Sequence, residues 1–406
     1  VTQDLRIAMI GAGFMGAAHS QGWRVAPRFF DLPLAPRMSV LVGRDAERTR
    51  SAADTWGWAE SSVDWREVIE RDDIDVVDIV TPGDSHAEIA IAALEAGKHV
   101  LCEKPLANTV AEARRMAEAA ASARSTGVRS MVGFTYRRVP AATFARDLIA
   151  TGRLGEIRQV RAEYLQDWLS DAAAPLTWRL QKERAGSGAL GDIGAHAIDI
   201  AEFMTGRRLT RVAGVVETIV SERPVLAERA GLSGSAGAER AAVTVDDVAL
   251  FLGRLDGGAL ASFEASRFRT GRKNALRVEI SGALGSLAFD LESPNELQFY
   301  DATAPATEQG FRRILVTEPE HPYMSAWWPA GHMIGYEHGF SHQAKDFVEA
   351  VAASHDPRPS FADGLHVQQV LDAVTRSSDA DGVWTGVDAD PDPASVPADD
   401  RAFAAS

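Results

Sequence analysis

Arg6-Ile7-Ala8-Met9-Ile10-Gly11-Ala12-Gly13-Phe14-Met15-Gly16 is the stretch that decides the fold. Its first five residues read as a buried strand, and the glycines at 11, 13 and 16 then open an alanine-rich helical run. In that setting the first glycine makes a tight turn, the second lets backbone N–H groups approach a pyrophosphate, and the third brings helix and strand together. The helix N-terminus adds a partial positive charge for the anion. A glycine triplet by itself is weak evidence; the strand before it and the helix after it are the context a dinucleotide turn requires. Gly11, Gly13, Phe14, Met15 and Gly16 are therefore candidate cofactor contacts. Residues 7–18 resemble the apolar core of a signal peptide, but the basic leader is missing and the glycines keep dinucleotide spacing.

Outward from this turn, apolar strand-like runs alternate with amphipathic stretches, the rhythm of a doubly wound parallel sheet with helices on both faces. Arg6–Ile10, Met38–Val42, Asp75–Val80, His99–Cys102 and Arg129–Phe134 are the expected strands, and Ser85–Ala96 and Val110–Ala123 the clearest helices. Gln21 to Arg37, with Trp23, Phe29, Phe30, Pro33 and Pro36, reads as a loop insertion. After Phe134 the rhythm changes. A helix near Ala141–Ala150, a long strand at Glu156–Gln166 and a helix around Ala189–Met204 precede strand-like runs at Val212–Val220, Val248–Arg254, Ala259–Ala265, Ala275–Ser281 and Leu297–Tyr300. The expected organisation is a nucleotide-binding domain over residues 1–134 and an α+β domain with a mainly antiparallel sheet over 135–387. Residues 227–244 read as a mobile surface loop and 388–406 as a disordered tail.

Composition narrows the function. With 406 residues and 46% hydrophobic side chains, the chain can bury two cores. Acidic side chains outnumber basic ones, 57 to 42, and a formal charge of -15 repels a phosphate backbone, so no nucleic-acid partner is expected. No segment reaches the roughly 20 apolar residues of a membrane helix, so no membrane role is expected. The single cysteine, Cys102, lies in an apolar strand pattern and suits a buried thiol in a reducing cytoplasm.

Past the second expected strand the chain reads Val42-Gly43-Arg44-Asp45. Gly43 stands where a carboxylate would grip an NAD ribose, and Arg44 can pair with a 2′-phosphate, which favours NADP over NAD; Asp45 remains a second route to the ribose. Thr81-Pro82 and His86 follow the third strand at the carboxyl edge of the sheet, where ligands bind in such folds, although His86 could equally pack there. Glu103-Lys104-Pro105 follows another strand at the same edge, and Lys104 beside a nicotinamide could steady charge developing on a substrate oxygen. Asp192, His196 and Asp199 fall at i, i+4, i+7 on one helical stripe, while Leu190, Ile193, Ala197, Ile200 and Met204 form a second stripe for packing. His196 suits proton acceptance, with Asp192 to orient it or raise its pKa. Gln166, Trp178 and Arg179 are candidate substrate contacts, because aromatic faces pack on sugar C–H surfaces while amide and guanidinium groups bond hydroxyls. Tyr164, Trp327, Trp328 and Tyr336 are weaker candidates of the same kind. His338 and His342 share metal-pair spacing but have no general-base glutamate and no third ligand, so no metal is expected.

The order of glycine turn, Thr81-Pro82 with His86, Glu103-Lys104-Pro105 and Gly191-Asp192-Ile193-Gly194-Ala195-His196 resembles the glucose–fructose oxidoreductase, inositol dehydrogenase and rhizopine-catabolism (Gfo/Idh/MocA) family from Arg6 to about Val387. That resemblance implies a Rossmann domain, an open-faced antiparallel sheet in the second domain, and dimers or tetramers built on that sheet. It also implies NAD(P) chemistry on sugars or cyclitols, with Lys104, Asp192 and His196 as the catalytic lysine, aspartate and histidine. Within the family, Tyr136-Arg137-Arg138, Tyr164 to Trp168, Trp178-Arg179 and Phe340 to Phe347 are similar to levoglucosan dehydrogenase-like sugar dehydrogenases, which implies oxidation of the 3-hydroxyl of an anhydrosugar or glucoside with NAD. Gly43 departs from that pattern. Two other readings stand beside a dehydrogenase: a non-catalytic sensor of cofactor or sugar, which has no need to keep Lys104 and His196 together, and a hydrolase that uses tightly held NAD on glycosides.

Overall fold

A computed structural model describes residues 3–230 and 233–387, so the expected tail at 388–406 lies outside the described residues. The first third builds β1 (Asp4–Ile10), α1 (Phe14–Phe29), β2 (Ala35–Val42), α2 (Ala46–Trp56), β3 (Glu60–Ser62) and α3 (Trp65–Ile69). It continues with β4 (Val76–Ile79), α4 (His86–Glu95), β5 (His99–Cys102), α5 (Val110–Arg124) and β6 (Ser130–Val132). The strands run parallel in the order β3-β2-β1-β4-β5-β6, a doubly wound Rossmann sheet. Every residue of β4 is buried, as expected for a strand covered by helices on both faces.

The expected loop insertion at Gln21–Arg37 is corrected: α1 continues to Phe29 and β2 starts at Ala35. His19, Trp23 and Ala26 are buried at helical spacing, and Pro27 falls in the last turn, where the loss of one backbone bond is tolerated. The aromatic residues there belong to a docking face rather than to a loop.

The rest of the chain adds α6 (Pro140–Ala150), β7 (Ile157–Leu165), α7 (Lys182–Ala185), a widened π-helical turn at Leu190–Gly194 and α8 (Ala195–Thr205). Then come β8 (Leu209–Glu217), β9 (Glu222–Ala230), β10 (Ser233–Ala242), β11 (Val248–Leu255), β12 (Leu260–Ser266), β13 (Ala275–Gly282), β14 (Gly285–Asp290), β15 (Glu296–Asp301) and β16 (Arg312–Leu315). The last elements are α9 (His338–Ala353), α10 (Phe361–Asp379) and β17 (Thr385–Gly386). Nine of these strands form one sheet in the order β16-β15-β14-β13-β7-β12-β11-β8-β17, antiparallel except for the β7–β12 pair. One sheet face carries the core: in β11, Ala249, Phe251 and Leu255 are buried while Leu250, Leu252 and Arg254 face out.

The loop expected at 227–244 is instead the antiparallel hairpin of β9 and β10. Pairing of that kind needs only backbone groups, and Ala, Gly and Ser carry no periodic apolar signal to announce it. The helix α9 packs back against α1, where Phe347 meets Trp23 edge-on at 6.3 Å between ring centres. A segment more than three hundred residues downstream thus closes one side of the dinucleotide domain.

Candidate active site

The carboxyl ends of β1, β4 and β5 converge, as the strand order requires at the switch between β1 and β4. Gly11 has φ +126°, and a Cβ there would lie 2.8 Å from the Val80 carbonyl oxygen. At Gly16 a Cβ would meet the Gly11 carbonyl oxygen at 2.4 Å, so both positions exclude any larger residue. Gly13 differs: nothing lies within 4 Å of its would-be Cβ, and no side chain caps the N-terminus of α1. That open, uncapped helix end fits a pyrophosphate, so the cradle suits a dinucleotide. Phe14 is half exposed and stacks on Tyr336 at 6.5 Å, whereas the Met15 side chain packs into the core and leaves only its backbone at the turn.

At the end of β2, a Cβ on Gly43 would fall 2.2 Å from Thr49 Oγ1, so a side chain there requires Thr49 to shift. Asp45 is spent as the N-cap of α2, its Oδ1 accepting from the Arg48 N–H at 2.9 Å. Arg44 is exposed.

Behind β4 lie His86 and Glu103, both expected as cofactor contacts, and the side chains of both are committed to protein partners. His86 is buried, its Nε2 2.9 Å from the Thr81 carbonyl oxygen and its Nδ1 3.1 Å from that of Pro105. It pins the Thr81-Pro82 turn to the loop that follows Lys104. Glu103 is buried too, with Oε1 3.0 Å from His19 Nε2 and Oε2 accepting from the Lys104 N–H at 3.2 Å. The other His19 nitrogen, Nδ1, faces the Asp78 carboxylate at 3.0 Å, and Trp23 Nε1 donates to that carboxylate at 2.7 Å. Burial alone would lower the His19 pKa, but the Asp78 and Glu103 carboxylates outweigh it and hold the imidazolium up to about 10. Glu103 therefore turns inward because a buried carboxylate needs a cation, not outward to a ligand. Reading the sequence missed His19 and Asp78, although an aspartate inside the apolar run Val76-Val77-Asp78-Ile79 calls for a buried partner.

Lys104 reaches across to the second sheet's helix. Its Nζ donates to the Asp192 carbonyl oxygen at 2.6 Å and lies 3.4 Å from Asp192 Oδ1. Asp192 sits in the widened turn Leu190–Gly194, whose start is held by Asp246 accepting from the N–H groups of Gly188 and Leu190, both at 2.7 Å. Burial opposes ionisation of Asp192, yet Lys104, Arg267 and Arg179 together bring its pKa down to about 2. His196 lies among the rings of Tyr136 (4.6 Å), Tyr164 (5.8 Å) and Phe134 (5.9 Å). Burial, reinforced by Lys104, pushes its pKa well below the ordinary value despite Asp192. Asp192 does act to raise the His196 pKa, as expected, but burial and Lys104 outweigh it. The hydrogen bonds to Asp192 come from Lys104 rather than from His196, because the π turn breaks simple helical spacing. Asp199, on the same stripe, is buried and paired to Arg137 through contacts of 2.6–3.1 Å.

Beside His196 runs a chain of hydrogen bonds that sequence reading also missed. Tyr164 Oη donates to Asn274 Oδ1 at 2.7 Å and lies 2.8 Å from Tyr136 Oη, leaving Tyr136 as the donor in that pair. Gln166 Nε2 donates to the same Asn274 oxygen at 2.8 Å, and its Oε1 accepts from Trp168 Nε1 at 2.9 Å. Burial raises the pKa of both tyrosines, so they remain donors. Arg179 stacks over Trp178 at 4.4 Å and adds to the positive field on Asp192. Tyr336, a weaker expectation, bridges Phe14 and Tyr136 (6.4 Å) at the mouth of the cleft. Trp327 does not reach it; its Nε1 donates to His342 Nε2 at 2.7 Å, while His342 Nδ1 lies 2.8 Å from the Arg138 carbonyl oxygen. His338 Nδ1 accepts from the Gly335 N–H at 3.0 Å.

Residues 5–134 match the oxidoreductase family with an NAD-binding Rossmann fold, and residues 143–288 match the GFO/IDH/MocA C-terminal domain. Levoglucosan dehydrogenase from Pseudarthrobacter phenanthrenivorans is 42% identical over 390 residues, 95% of this chain and 98% of the relative. The solved structure of an oxidoreductase domain protein from Kribbella flavida is 61% identical, with a TM-score of 0.91 over 95% of this chain and all of that one (100%). A levoglucosan dehydrogenase structure holding NADH and levoglucosan is 41% identical, with a TM-score of 0.89 over 95% of this chain and 100% of that one.

Proposed function

This chain belongs to the Gfo/Idh/MocA family of NAD-binding oxidoreductases, and on that premise we propose that it oxidises a secondary hydroxyl of a pyranose, anhydrosugar or cyclitol. The observation that carries the reading is the Lys104 ammonium anchored at 2.6 Å on the Asp192 carbonyl oxygen, at the edge of the dinucleotide cradle and in the same cluster as a neutral His196. His196 accepts the hydroxyl proton, its neutral imidazole being ready at neutral pH. Lys104 donates to the substrate oxygen as negative charge builds there. The nicotinamide, when bound, takes the hydride. Tyr136, Gln166, Trp178 and Arg179 line the approach and bind ring hydroxyls and C–H faces.

Gly11, Gly13, Phe14, Met15 and Gly16 hold the pyrophosphate, Met15 through its backbone alone, and Thr81-Pro82 flank the nicotinamide end. Arg44, exposed beside Gly43, which offers no carboxylate to a ribose, supports a preference for NADP over NAD. The division at 134/135 remains our reading of the domains, with α9 docked back across it. Exposed Val215, Leu250, Leu252 and Leu260 support a homo-oligomer closed over the outer sheet face. A lone buried cysteine is in keeping with the cytoplasm.

Absorbance at 340 nm, with NAD and NADP offered separately to levoglucosan, glucosides, aldoses and inositols, tests the reaction. Cofactor reduction with a member of that panel is expected. Silence with cofactor binding confirmed would remove the dehydrogenase reading in favour of a sensor or hydrolase.

A further inference from the structure

One charge lies behind the reacting groups rather than among them. Arg267, directly after β12, is fully buried. Its Nη2 donates to the Asp246 carbonyl oxygen at 3.1 Å, and its Nη1 stands 3.6 Å from Asp192 Oδ2. The Trp168 ring lies 5.6 Å from its guanidinium carbon, while Nε and Nη1 have no hydrogen-bond partner among the described residues. A buried guanidinium with unused donors is costly unless an opposing carboxylate answers it, and the carboxylate it meets here is that of Asp192.

The two oxygens of Asp192 are divided between two cations. Oδ1 faces Lys104 at 3.4 Å and Oδ2 faces Arg267 at 3.6 Å. Neither separation is a short ion pair, so the carboxylate is drawn both ways. An ammonium has three N–H donors; Lys104 commits one firmly, to the Asp192 carbonyl oxygen. If Asp192 closed fully on Lys104, a second donor would be taken and the positive charge offered to a substrate oxygen would be quenched.

We propose that Arg267 is a positioning residue that holds the Asp192 carboxylate back from Lys104 and so keeps the ammonium available to substrate. This rests on the reading of Lys104 as the group that meets the substrate oxygen. The groups facing Asp192 are the cations Lys104 after β5, Arg179 beside Trp178 and Arg267 itself, with the titratable but neutral His196 on α8. Around Arg267 lie Asp192 and Asp246, with Arg223 also close enough to feel its charge. Removing Arg267 takes one of three cations from Asp192, so its protonation moves to higher pH.

The test compares wild type with Arg267→Met and Arg267→Lys in two ways. Turnover on a substrate found in the panel is expected to fall about 10- to 100-fold in kcat for Arg267→Met, with cofactor affinity unchanged and the acidic limb of the pH profile moved upward. Arg267→Lys keeps the charge and is expected to restore both. The second readout needs no turnover: the carboxyl ¹³C signal of Asp192, assigned with Asp192→Asn, titrates at higher pH in Arg267→Met than in wild type. If wild type turns over nothing, the function proposed above fails while this titration still decides the role of Arg267. Wild-type kcat and titration in Arg267→Met would overturn it. So would a loss in a folded variant that Arg267→Lys does not restore and that leaves Asp192 titrating as before. Should Arg267→Met not fold, Arg267→Gln, which keeps hydrogen-bonding capacity without charge, takes its place under the same criteria.

Discussion

His19, buried, and His196, half-buried, are the same side chain in the same molecule, and their surroundings drive them to opposite states. His19 sits between the Asp78 and Glu103 carboxylates and is held charged, its pKa up at about 10. His196 sits among three aromatic rings near the Lys104 ammonium and is held neutral. Two anions make a histidine a structural cation; rings and a cation keep it neutral, the state that the base proposed here requires. The lesson is that burial alone does not assign a role: the sign of the nearest charges does.

The comparison breaks most visibly at the base. His196→Asn should lower kcat roughly 10²- to 10⁴-fold, the usual worth of a positioned general base, with cofactor affinity and melting temperature near wild type. Steady-state kinetics alongside fluorescence titration of the reduced cofactor would check it, and full turnover in the variant would remove His196 from proton transfer. His19→Leu should do the reverse. It leaves two buried carboxylates without their cation, and a loss of about 3–5 kcal/mol is expected in denaturant unfolding, against modest change in kcat for whatever remains folded.

Acidity separates the pair more finely. A base with depressed pKa stays active as pH drops below 6.5, so kcat/KM should hold level through that point and decline only further down. His19 contributes stability with the other sign. Its folded pKa lies above its unfolded value, so its contribution is complete below about pH 6.5 and is lost as pH rises towards 10. Melting temperatures measured from pH 6 to 10 should therefore fall on the alkaline side in wild type and be flatter in His19→Leu. The smallest expected effect lies at the far end of the cradle, at the exposed Arg44 proposed to meet a 2′-phosphate: Arg44→Ser should weaken NADP relative to NAD by roughly 10-fold, read as a ratio of kcat/KM.

Much of this is legible in the sequence. The glycine turn and the parallel-sheet rhythm follow from local periodicity, and Lys104, Asp192 and His196 stand out through their motifs. What escaped was set by long-range pairing. Arg267 looks like any arginine at a strand end until Asp192 is brought to it from 75 residues away in sequence. His19 meets Glu103 across 84 residues, and Tyr164 meets Asn274 across 110. The inward turn of the Glu103 and His86 side chains escaped for the converse reason, since a motif reveals position along a strand edge but not which way a side chain turns. The hairpin of β9 and β10 was hidden because small residues pair by backbone without an apolar pattern.

The most direct test of the account is ¹⁵N NMR of the histidine rings of the full-length protein from pH 5 to 8, with His196→Asn and His19→Gln used for assignment. His19 is expected to stay doubly protonated across the range and His196 to stay neutral. Ordinary titration of both near pH 6.5 would contradict it.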